Sequence, residues 1–409
     1  MALPLRTSLP PCGTGSPHHR TDSLRVLHFF KTYYPDSFGG IEQVIFQLAE
    51  GCRQHHIDTE VLYLSPRGNA RNEPCAQHQT HRSQLDIHLA STGFSLHAFR
   101  DFRDLAAHAD LIHYHFPWPF MDLVHFSSQL KKPTLLTYHS DIVKQKNLAR
   151  LYRPLMNRFL RSVNHIVATS PNYLATSPVL AQYSDKTSVI PIGINPSSYP
   201  APDPQRLDYW QRQFPGPFFL FIGALRYYKG LHTLLEALPG SQYPVVLVGS
   251  GPLGPALQEH IHRRQLTHVH LLGSLPDQDK TALLQLCHGL VLPSHLRSEA
   301  FGIALLEGAM FGKPLISCEI GSGTSHINQH GVTGLVTAPD DPAALRHALD
   351  TLWHEPALAT RMGQAARQRF DRHFDRAWQA DEPRLSRLVL IGQQLDRAAI
   401  EAELKAALA

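Results

Sequence analysis

Short runs of aliphatic and β-branched residues alternate with amphipathic segments along almost the whole chain, and this alternation restricts the fold more than any other feature. Strands that are separated by helical segments form parallel sheets with helices on both faces. The alternation stops once, at NPSSYPAPDPQ (residues 195–205), where four prolines in eleven residues indicate a linker. The sequence therefore predicts an α/β protein of two doubly wound, Rossmann-like domains that face each other across a central cleft.

Six strands are predicted on each side of the linker. They cover residues 24–30, 59–64, 111–116, 133–139, 165–170 and 187–193, and then 217–223, 244–249, 268–273, 289–294, 313–318 and 334–338. The predicted units are a disordered tail (1–22), an N-terminal acceptor-side domain (23–198), a C-terminal nucleotide-sugar-binding domain (205–373), and a C-terminal helix (374–409) that we expect to return to the N-terminal domain.

Composition excludes several classes of protein. A formal charge of +4 is too weak to indicate nucleic-acid binding, and it does not hinder approach to a phosphorylated substrate or an anionic membrane. The five cysteines are scattered without a CxxC pair, which argues against disulfides and a zinc site. No apolar run is long enough to span a bilayer, and the first 22 residues lack the apolar stretch of a signal peptide. We therefore expect a cytoplasmic protein.

The segment GSGPLG (residues 249–254) matches the dinucleotide fingerprint GxGxxG, follows a predicted strand and precedes a helical run. The fingerprint also needs an acidic residue at the end of the next strand, and that strand ends in LLGS. A glycine-rich turn that lets the backbone approach a phosphate or sugar is therefore favoured. An NAD-dependent oxidoreductase remains an alternative.

Two further glycine-containing turns follow predicted strands. In GALRYYKG (223–230), Arg226 and Lys229 lie at a carboxyl end, where a guanidinium and an ammonium suit a diphosphate. In SFGGIEQV (37–44), Gly39 and Gly40 bare backbone N–H groups at a helix N-terminus. Solvated cations and a loop that needs positive φ are the competing explanations.

Histidines and aspartates supply weaker signals. His139 ends the strand in LLTYHSD and is expected to face the cleft. His113 and His115 share one face of a strand, but a metal site would need a third ligand and none is indicated. Asp277 and Asp279 match the metal-binding DxD pattern, although helix capping explains acids at a helix start better.

Two glutamates lie eight residues apart in SEAFGIALLEG, at positions 299 and 307. A helix starting near residue 300 or 301 would separate them by about 12 Å, which is too far for a pair of carboxylates that flank one glycosidic bond. The separation suits two hydroxyl-bearing parts of one extended ligand, such as a sugar and a ribose.

These motifs resemble the GT-B glycosyltransferases of the large retaining family 4, from about Leu24 to about Leu390. The most specific are the two glutamates, the GGIE turn and the PSHLRSEAFG segment before the helix. Within the family, YHSDIVKQK, IVATSPNYL and LRYYKGL are similar to a bacterial subgroup that transfers mannose or D-rhamnose in lipopolysaccharide O-antigen synthesis.

The resemblance implies how a nucleotide-sugar donor would be held. Glu299 would hydrogen-bond the donor sugar, helped by the backbone amides around Phe301 and Gly302. Glu307 would bind the ribose, and Lys229 would bind the diphosphate.

The remaining roles follow from the same resemblance. His139 would lie at the reaction centre, Gly39 and Gly40 would let the first loop close, and the loop from Gly273 would meet the base. Many family members have arginine directly after the glycine that corresponds to Gly223, whereas this chain has Ala224. Arg226 would then supply that charge from a different position, and His139, Glu299, Arg226 and Lys229 form the predicted catalytic set.

The resemblance thus implies a metal-independent, retaining hexosyltransferase that needs no cofactor. The expected donor is a GDP-linked mannose or D-rhamnose, and the expected acceptor is a lipid-linked saccharide at the inner membrane face. A UDP-sugar donor and a catalytically silent nucleotide-sugar sensor are further alternatives. Contact with the membrane would be peripheral, with Arg150, Arg153, Arg158 and Arg161 as candidates.

Overall fold

A computed structural model describes residues 23–375 except residues 38, 54–56, 90–91, 130 and 143–145. The predicted tail (1–22) and all but the first two residues of the predicted C-terminal helix (374–409) lie outside the described residues. Within the described part of the chain, no helix is both long enough and apolar enough to cross a membrane.

The first domain is built on an eight-stranded sheet of order β10-β9-β8-β7-β1-β2-β4-β3, parallel except for the pair β3–β4. Its elements in chain order are β1 (Leu24–Phe29), α1 (Gly40–Arg53), β2 (Ile57–Ser65), β3 (Ala70–Cys75), β4 (His78–Gln84), β5 (Ile87–Leu89), β6 (Thr92–Phe94), α2 (Leu96–His108), β7 (Leu111–Phe116), α3 (Pro119–Ser128), β8 (Thr134–Tyr138), α4 (Lys146–Ser162), β9 (His165–Ala168), α5 (Pro171–Thr176), a 3-10 segment (Leu180–Lys186) and β10 (Thr187–Val189).

All six strands predicted before the linker are present, and four additional ones are not predicted by the sequence. The hairpin of β3 and β4 is missed because ARNEPC and HQTHRSQ contain no apolar run. His78, Thr80 and His81 are nevertheless buried, because β4 pairs with β2 and extends the sheet. Polar strands of this kind are stabilised by their neighbours and not by their own pattern.

The second domain contains a six-stranded parallel sheet of order β13-β12-β11-β14-β15-β16. It is reached through a 3-10 turn (Pro196–Ser198), and its elements are α6 (Pro204–Gln213), β11 (Phe219–Ile222), a 3-10 turn (Tyr227–Lys229), α7 (Leu231–Ala237), β12 (Val245–Val248), α8 (Gly254–Arg263), β13 (Val269–Gly273), α9 (Asp277–Leu286), β14 (Gly289–Leu292), α10 (Ile303–Met310), β15 (Leu315–Cys318), α11 (Gly323–Ile327), β16 (Gly334–Thr337), α12 (Pro342–His354) and α13 (Pro356–His373).

The six strands predicted after the linker are all present, so the predicted α/β class with two doubly wound domains is confirmed. The strand order changes direction between β11 and β14, and the corresponding change in the first sheet lies between β1 and β7. Ligands of such sheets bind outside the carboxyl ends of the strands at these points. A ligand-binding site is therefore expected at the loops that follow β1, β11 and β14.

One boundary differs from the prediction and changes an argument. The helix that carries Glu307 begins at Ile303, and not at residue 300 or 301. Gly302 precedes it with φ +94°, in the left-handed region where a right-handed helix cannot begin. Glu299 therefore lies in an irregular loop, and the 12 Å separation that assumed one continuous helix does not apply.

Candidate functional site

Lys229 and Glu299 form a buried ion pair at the carboxyl ends of β11 and β14. The Lys229 ammonium donates to Oε2 of Glu299, and the hydroxyl of Ser294 donates to the same oxygen at 3.0 Å. Their side chains are 11% and 10% exposed. The tight turn Tyr227–Lys229 after β11 places the ammonium there, and Gly230 follows it with φ +69°. The structure thus joins two residues that the sequence assigned to the same donor.

The charge of Lys229 is retained despite its burial. Burial alone lowers the pKa of a lysine, but the Glu299 carboxylate beside it raises the pKa above the usual 10.5. The ammonium therefore stays positive throughout the physiological pH range.

Arg226 lies just before this turn with an exposed side chain, and no ion pair to it is found among the described residues. It is close enough to Lys31, which follows β1 of the other domain, to influence that lysine. The pKa of Lys31 is lowered by burial and further by Arg226, while Glu42 opposes the shift. Two cations from opposite domains therefore lie near enough to repel each other, an arrangement that an anionic ligand would stabilise. No motif in the sequence points to Lys31.

Glu307 is contacted by the linker and through it by the first domain. The hydroxyl of Tyr199 donates to Oε1 of Glu307 at 2.9 Å, and the amide of Gln43 on α1 donates to that hydroxyl at 2.6 Å. Glu307 is only 7% exposed. The predicted ribose carboxylate therefore lies where both domains and the linker converge.

Burial is the largest influence on Glu307 and raises its pKa, with Lys280 and the Tyr199 hydroxyl acting in the opposite direction. Lys280 in turn pairs with Asp277 at 2.5 Å one turn earlier on α9. This lysine was not singled out from the sequence, although it follows the DQD segment directly.

The DQD aspartates do not form a metal-binding pair. Asp279 is buried and accepts the indole N–H of Trp210 at 2.8 Å, while Asp277 pairs with Lys280. Both lie in the first turn of α9, where the helix dipole favours negative charge. Their position agrees with the helix-dipole part of the explanation preferred from the sequence, whereas neither aspartate caps α9, whose N-cap residue is Pro276.

Gly39 and Gly40 lie where the first loop meets the second domain. A Cβ on Gly40 would lie 3.3 Å from Cδ1 of Ile303 at the start of α10. A Cβ on Gly39 would overlap the carboxylate of Glu42, which accepts hydrogen bonds from Thr32 at 2.8 Å and Ser37 at 2.7 Å. The two glycines therefore permit close approach of the loop to its own helix and to the opposite domain.

Phe301 and Gly302 connect Glu299 to α10. Phe301 is 4% exposed and packs so closely against Gly323 that a Cβ at that glycine would lie 2.8 Å from the Cα of Phe301. This packing fixes the loop between the two glutamates.

The glycines of GSGPLG pack against the preceding loop of the same domain. A Cβ on Gly251 would lie 2.6 Å from the carbonyl oxygen of Leu225, whose N–H donates to Ser250 at 2.9 Å. Backbone packing between two loops therefore explains the glycine without a dinucleotide. Gly273, at the end of β13, has φ +73° and an open surrounding at its Cβ position, consistent with a loop that a ligand can approach.

His139 lies just beyond β8 and is 4% exposed. Its Nε2 is 3.0 Å from Nδ1 of His115, and Nε2 of His115 is 3.0 Å from Nδ1 of His28. His28, His113 and His115 offer ring nitrogens within 4.8 Å of one another, so the third histidine that the sequence did not indicate does exist. His115 uses both its nitrogens on neighbouring histidines, which leaves it no lone pair for a metal.

A second group of potential ligands, His232, His295 and Asp340, lies beside the Lys229 turn. Nδ1 of His295 is 2.6 Å from Oδ1 of Asp340. That distance is typical of a charge-assisted hydrogen bond, whereas two tetrahedral ligands about 2.0–2.1 Å from zinc lie farther apart. This group is better described as a close polar contact between His295 and Asp340 than as a metal site.

Arg297, inside PSHLRSEAFG, connects the two domains and was missed from the sequence. It donates to Oδ2 of Asp141 at 3.1 and 3.3 Å and to Thr176 at 2.5 Å, both in the first domain, and to the carbonyl of Gly321 at 2.5 Å in its own. Its guanidinium also stacks on Tyr173, 4.5 Å from the ring centroid. Asp141 follows His139 by two residues, so this contact links the end of β8 to the loop that contains Glu299.

Three family profiles match the chain. Residues 38–198 match "Glycosyltransferase Family 4", and residues 210–369 match "Glycosyl transferases group 1". Residues 355–408 match "Cobalamin synthesis protein cobW C-terminal domain", and this range overlaps α13 but otherwise lies almost wholly outside the described residues.

Two characterised relatives are similar over most of their length. The chain is 56% identical to the D-rhamnosyltransferase WbpZ of Pseudomonas aeruginosa over 351 residues, which is 86% of this chain and 92% of that protein. It is 50% identical to the O-antigen chain mannosyltransferase C of Escherichia coli over 351 residues, covering 86% of this chain and 94% of the relative.

The fold is also found in solved structures. Anabaena Alr3699/HepE in complex with UDP-glucose superimposes with a TM-score of 0.70, at 19% identity, covering 94% of this chain and all of that one. At this identity the likeness concerns the fold alone.

Proposed function

The chain belongs to the family 4 glycosyltransferases of GT-B fold, and from this premise we propose which sugar it transfers and how. The proposed donor is GDP-linked mannose or D-rhamnose, and the proposed acceptor is a lipid-linked saccharide of lipopolysaccharide O-antigen synthesis. The two relatives above, which transfer D-rhamnose and mannose by name, support the choice of sugar.

The observation that carries the proposal is the charge pattern of the cleft. Two buried carboxylates, Glu299 and Glu307, lie beside Lys229 and Lys280, and Arg226 directly precedes the turn that carries Lys229. Carboxylates accept hydrogen bonds from sugar and ribose hydroxyls, whereas the cations suit a diphosphate. A nucleoside diphosphate sugar has both kinds of group in one extended molecule.

The cationic side chains of the protein act on the diphosphate leaving group. When the bond between the sugar and the diphosphate breaks, negative charge grows on the phosphate and positive charge on the sugar. Lys229 and Arg226 stabilise the phosphate, and the buried position of Lys229 strengthens its effect because little water screens it. These side chains supply the positive charge that a divalent ion supplies in other transferases, so we expect no metal requirement.

Glu299 acts on the other half of the donor. One of its oxygens is held by Lys229 and Ser294, which fixes the carboxylate and leaves Oε1 available to a sugar hydroxyl. His139 lies just beyond the carboxyl end of β8 in the first domain, and in this proposal it contacts the transferred sugar. We propose that the anomeric configuration is retained because the acceptor hydroxyl attacks from the same face of the sugar from which the leaving group departs.

Acceptor and location follow from the same proposal. A lipid-linked saccharide requires the enzyme to work at the cytoplasmic face of the inner membrane. The side chains of Arg150, Arg153, Arg158 and Arg161 on α4 are exposed, as is Leu151 at 79%. Basic residues with an exposed apolar side chain suit peripheral contact with anionic lipids.

Calorimetric titration of GDP, UDP, GDP-mannose, UDP-glucose and NADH in EDTA tests the donor. We expect binding of GDP and GDP-mannose that EDTA does not weaken, and at least a tenfold loss of GDP affinity in Glu307→Ala. Glu259→Ala is the matched control, since Glu259 is an exposed glutamate on α8 of the same domain. Preference for UDP would keep the family and discard the GDP-linked donor, while NADH binding without either nucleotide would contradict the proposal.

A further inference from the structure

Four histidines form a buried row across the first sheet. His28 lies on β1, His113 and His115 on β7, and His139 just after β8, and these three strands are adjacent. The register pairs His28 with His113 and His115 with Thr137. The row therefore runs from the middle of the sheet to the carboxyl end of β8, where His139 lies.

Three of the four histidines are linked by direct hydrogen bonds. Nδ1 of His28 contacts Nε2 of His115, and Nδ1 of His115 contacts Nε2 of His139, each at 3.0 Å. His113 lies beside this chain but outside it, because its Nε2 pairs with the hydroxyl of Thr137 at 2.8 Å. The linked histidines are called the histidine chain below.

Every imidazole in the chain is neutral. Burial lowers the pKa of His28 and of His139 to about 3, and it lowers the pKa of His115 well below 6.5. A neutral imidazole has one N–H donor and one lone-pair acceptor. The proton positions of the three rings are therefore coupled. Either the N–H groups all donate toward His28, or they all donate toward His139.

The far end of the chain decides between them. Nε2 of His28 is buried and has no hydrogen-bond partner among the described residues. If the N–H groups donated toward His28, its Nε2 would carry a proton with no acceptor. Buried N–H groups without an acceptor are rare. If they donate toward His139, Nδ1–H of His28 donates to His115, and the unpartnered Nε2 of His28 carries only a lone pair.

We propose that His28 and His115 are positioning residues that hold His139 as its Nδ1–H tautomer. His139 then accepts at Nε2 and presents a neutral N–H donor at Nδ1, which has no other partner among the described residues. The role of His139 at the reaction centre rests on the proposed function, but its tautomer does not.

The tautomer determines what His139 does to a ligand. An Nδ1–H group donates to oxygen, and hydroxyl and phosphate oxygens are the acceptors that a nucleotide sugar offers. It is not a general base, because its remaining lone pair is occupied by His115. His139 thus orients the donor or stabilises charge on oxygen, in keeping with a transfer that needs no enzyme base.

The tautomer is measured directly by long-range ¹H–¹⁵N correlation on the full chain labelled with ¹⁵N-histidine, without substrate. His139 is assigned from the signal that disappears in His139→Gln. We expect a protonated Nδ1 and an unprotonated Nε2 at pH 7. A proton on Nε2 would overturn the proposal, and the only variant that this assignment needs is a folded His139→Gln.

The coupling between His115 and His139 is measured with histidine-to-phenylalanine substitutions, which keep an aromatic ring at the position. His115→Phe removes both hydrogen bonds of the central ring, and His113→Phe is the matched control, since it lies two residues away on the same strand and equally buried. In His115→Phe we expect His139 to lose its single tautomer and kcat to fall by about tenfold, with the donor KM changed less than about threefold. His113→Phe should keep the His139 signals and kcat.

Equal effects of the two substitutions would contradict a specific role for the chain. If His139→Gln retains full activity while the wild-type spectrum shows the Nδ1–H tautomer, the assigned role of His139 fails but the chain stands. The two conclusions can therefore be separated.

Discussion

The hydroxyl of Tyr199 donates to Oε1 of Glu307 at 2.9 Å, so a residue of the linker occupies one oxygen of the carboxylate that is expected to bind ribose. Gln43 of the first domain completes the contact. Glu307 is therefore contacted directly by the linker and, through Tyr199, by the first domain.

Tyr199→Phe tests this contact by removing one hydroxyl. Glu307 would lose a donor while remaining buried, and we expect the free energy of unfolding to fall by about 1.5–3 kcal/mol. GDP should raise the melting temperature more in the variant than in the wild type, because ribose hydroxyls replace the missing donor. Tyr209→Phe, at an exposed tyrosine, is the control. An equal or smaller GDP shift in Tyr199→Phe would contradict ribose binding at Glu307.

Lys229 and Glu299 should behave as a coupled pair. Lys229→Met or Glu299→Gln alone leaves a partner stranded, and we expect each to cost about 3–5 kcal/mol of stability if the partner stays charged. The double variant should cost less than the sum of the two, as measured by urea unfolding in a double-mutant cycle. All three variants should lose transfer activity. Additive stability losses would show that the two side chains do not interact.

Glu307 gives the nucleotide affinity a pH dependence. Its pKa is raised above 4.5, mainly by burial, so the folded state binds its proton more tightly than the unfolded chain. Stability from this group is present below pH 4.5 and is lost as pH rises through the raised pKa.

The carboxylate form accepts ribose hydroxyls, so GDP affinity should increase as pH rises through the same pKa. Comparison of GDP dissociation constants between pH 5 and 8 in the wild type and Glu307→Gln isolates this effect from titration of the phosphate. Parallel pH profiles would contradict it.

Gly40 should tolerate no β-branched side chain, because its Cβ position lies 3.3 Å from Ile303 of the opposite domain. We expect Gly40→Val to lower kcat by at least about tenfold by hindering approach of the domains. Gly51→Val is the matched control on the same helix, since nothing lies within 4 Å of its Cβ position. The measurement is kcat with melting temperature, and similar kcat for both variants would exclude the interface as the cause.

Arg297 should hold the domains together during transfer. Arg297→Leu removes its hydrogen bonds to Asp141 and Thr176, and we expect kcat to fall by about tenfold while GDP affinity changes less than about threefold. Arg263→Leu, at an exposed arginine of the same domain, is the control. A larger loss of GDP affinity than of kcat would place Arg297 in donor binding instead.

Several parts of the site could be predicted from sequence because they depend on local pattern. The strands that precede His139 and Lys229, β8 and β11, have the apolar runs of buried parallel strands, and the turn after β11 contains glycines. The two glutamates were recognisable because a buried carboxylate is costly unless it is paired. Lys31, Lys280, Arg297 and Tyr199 were not, because each acts on residues that are distant in the chain, and no local pattern shows such a contact.

The sequence by itself determined the two α/β domains, the linker and the residue types that a nucleotide sugar needs, since periodicity and turn chemistry act over a few neighbouring residues. Only the tertiary structure decided which of those residues meet. Tyr199 reaches Glu307 across 108 residues, Arg297 reaches Asp141 across 156, and His28 reaches His115 across 87. Such contacts arise from strand order and domain packing, and these bring together side chains whose separation along the chain carries no signal.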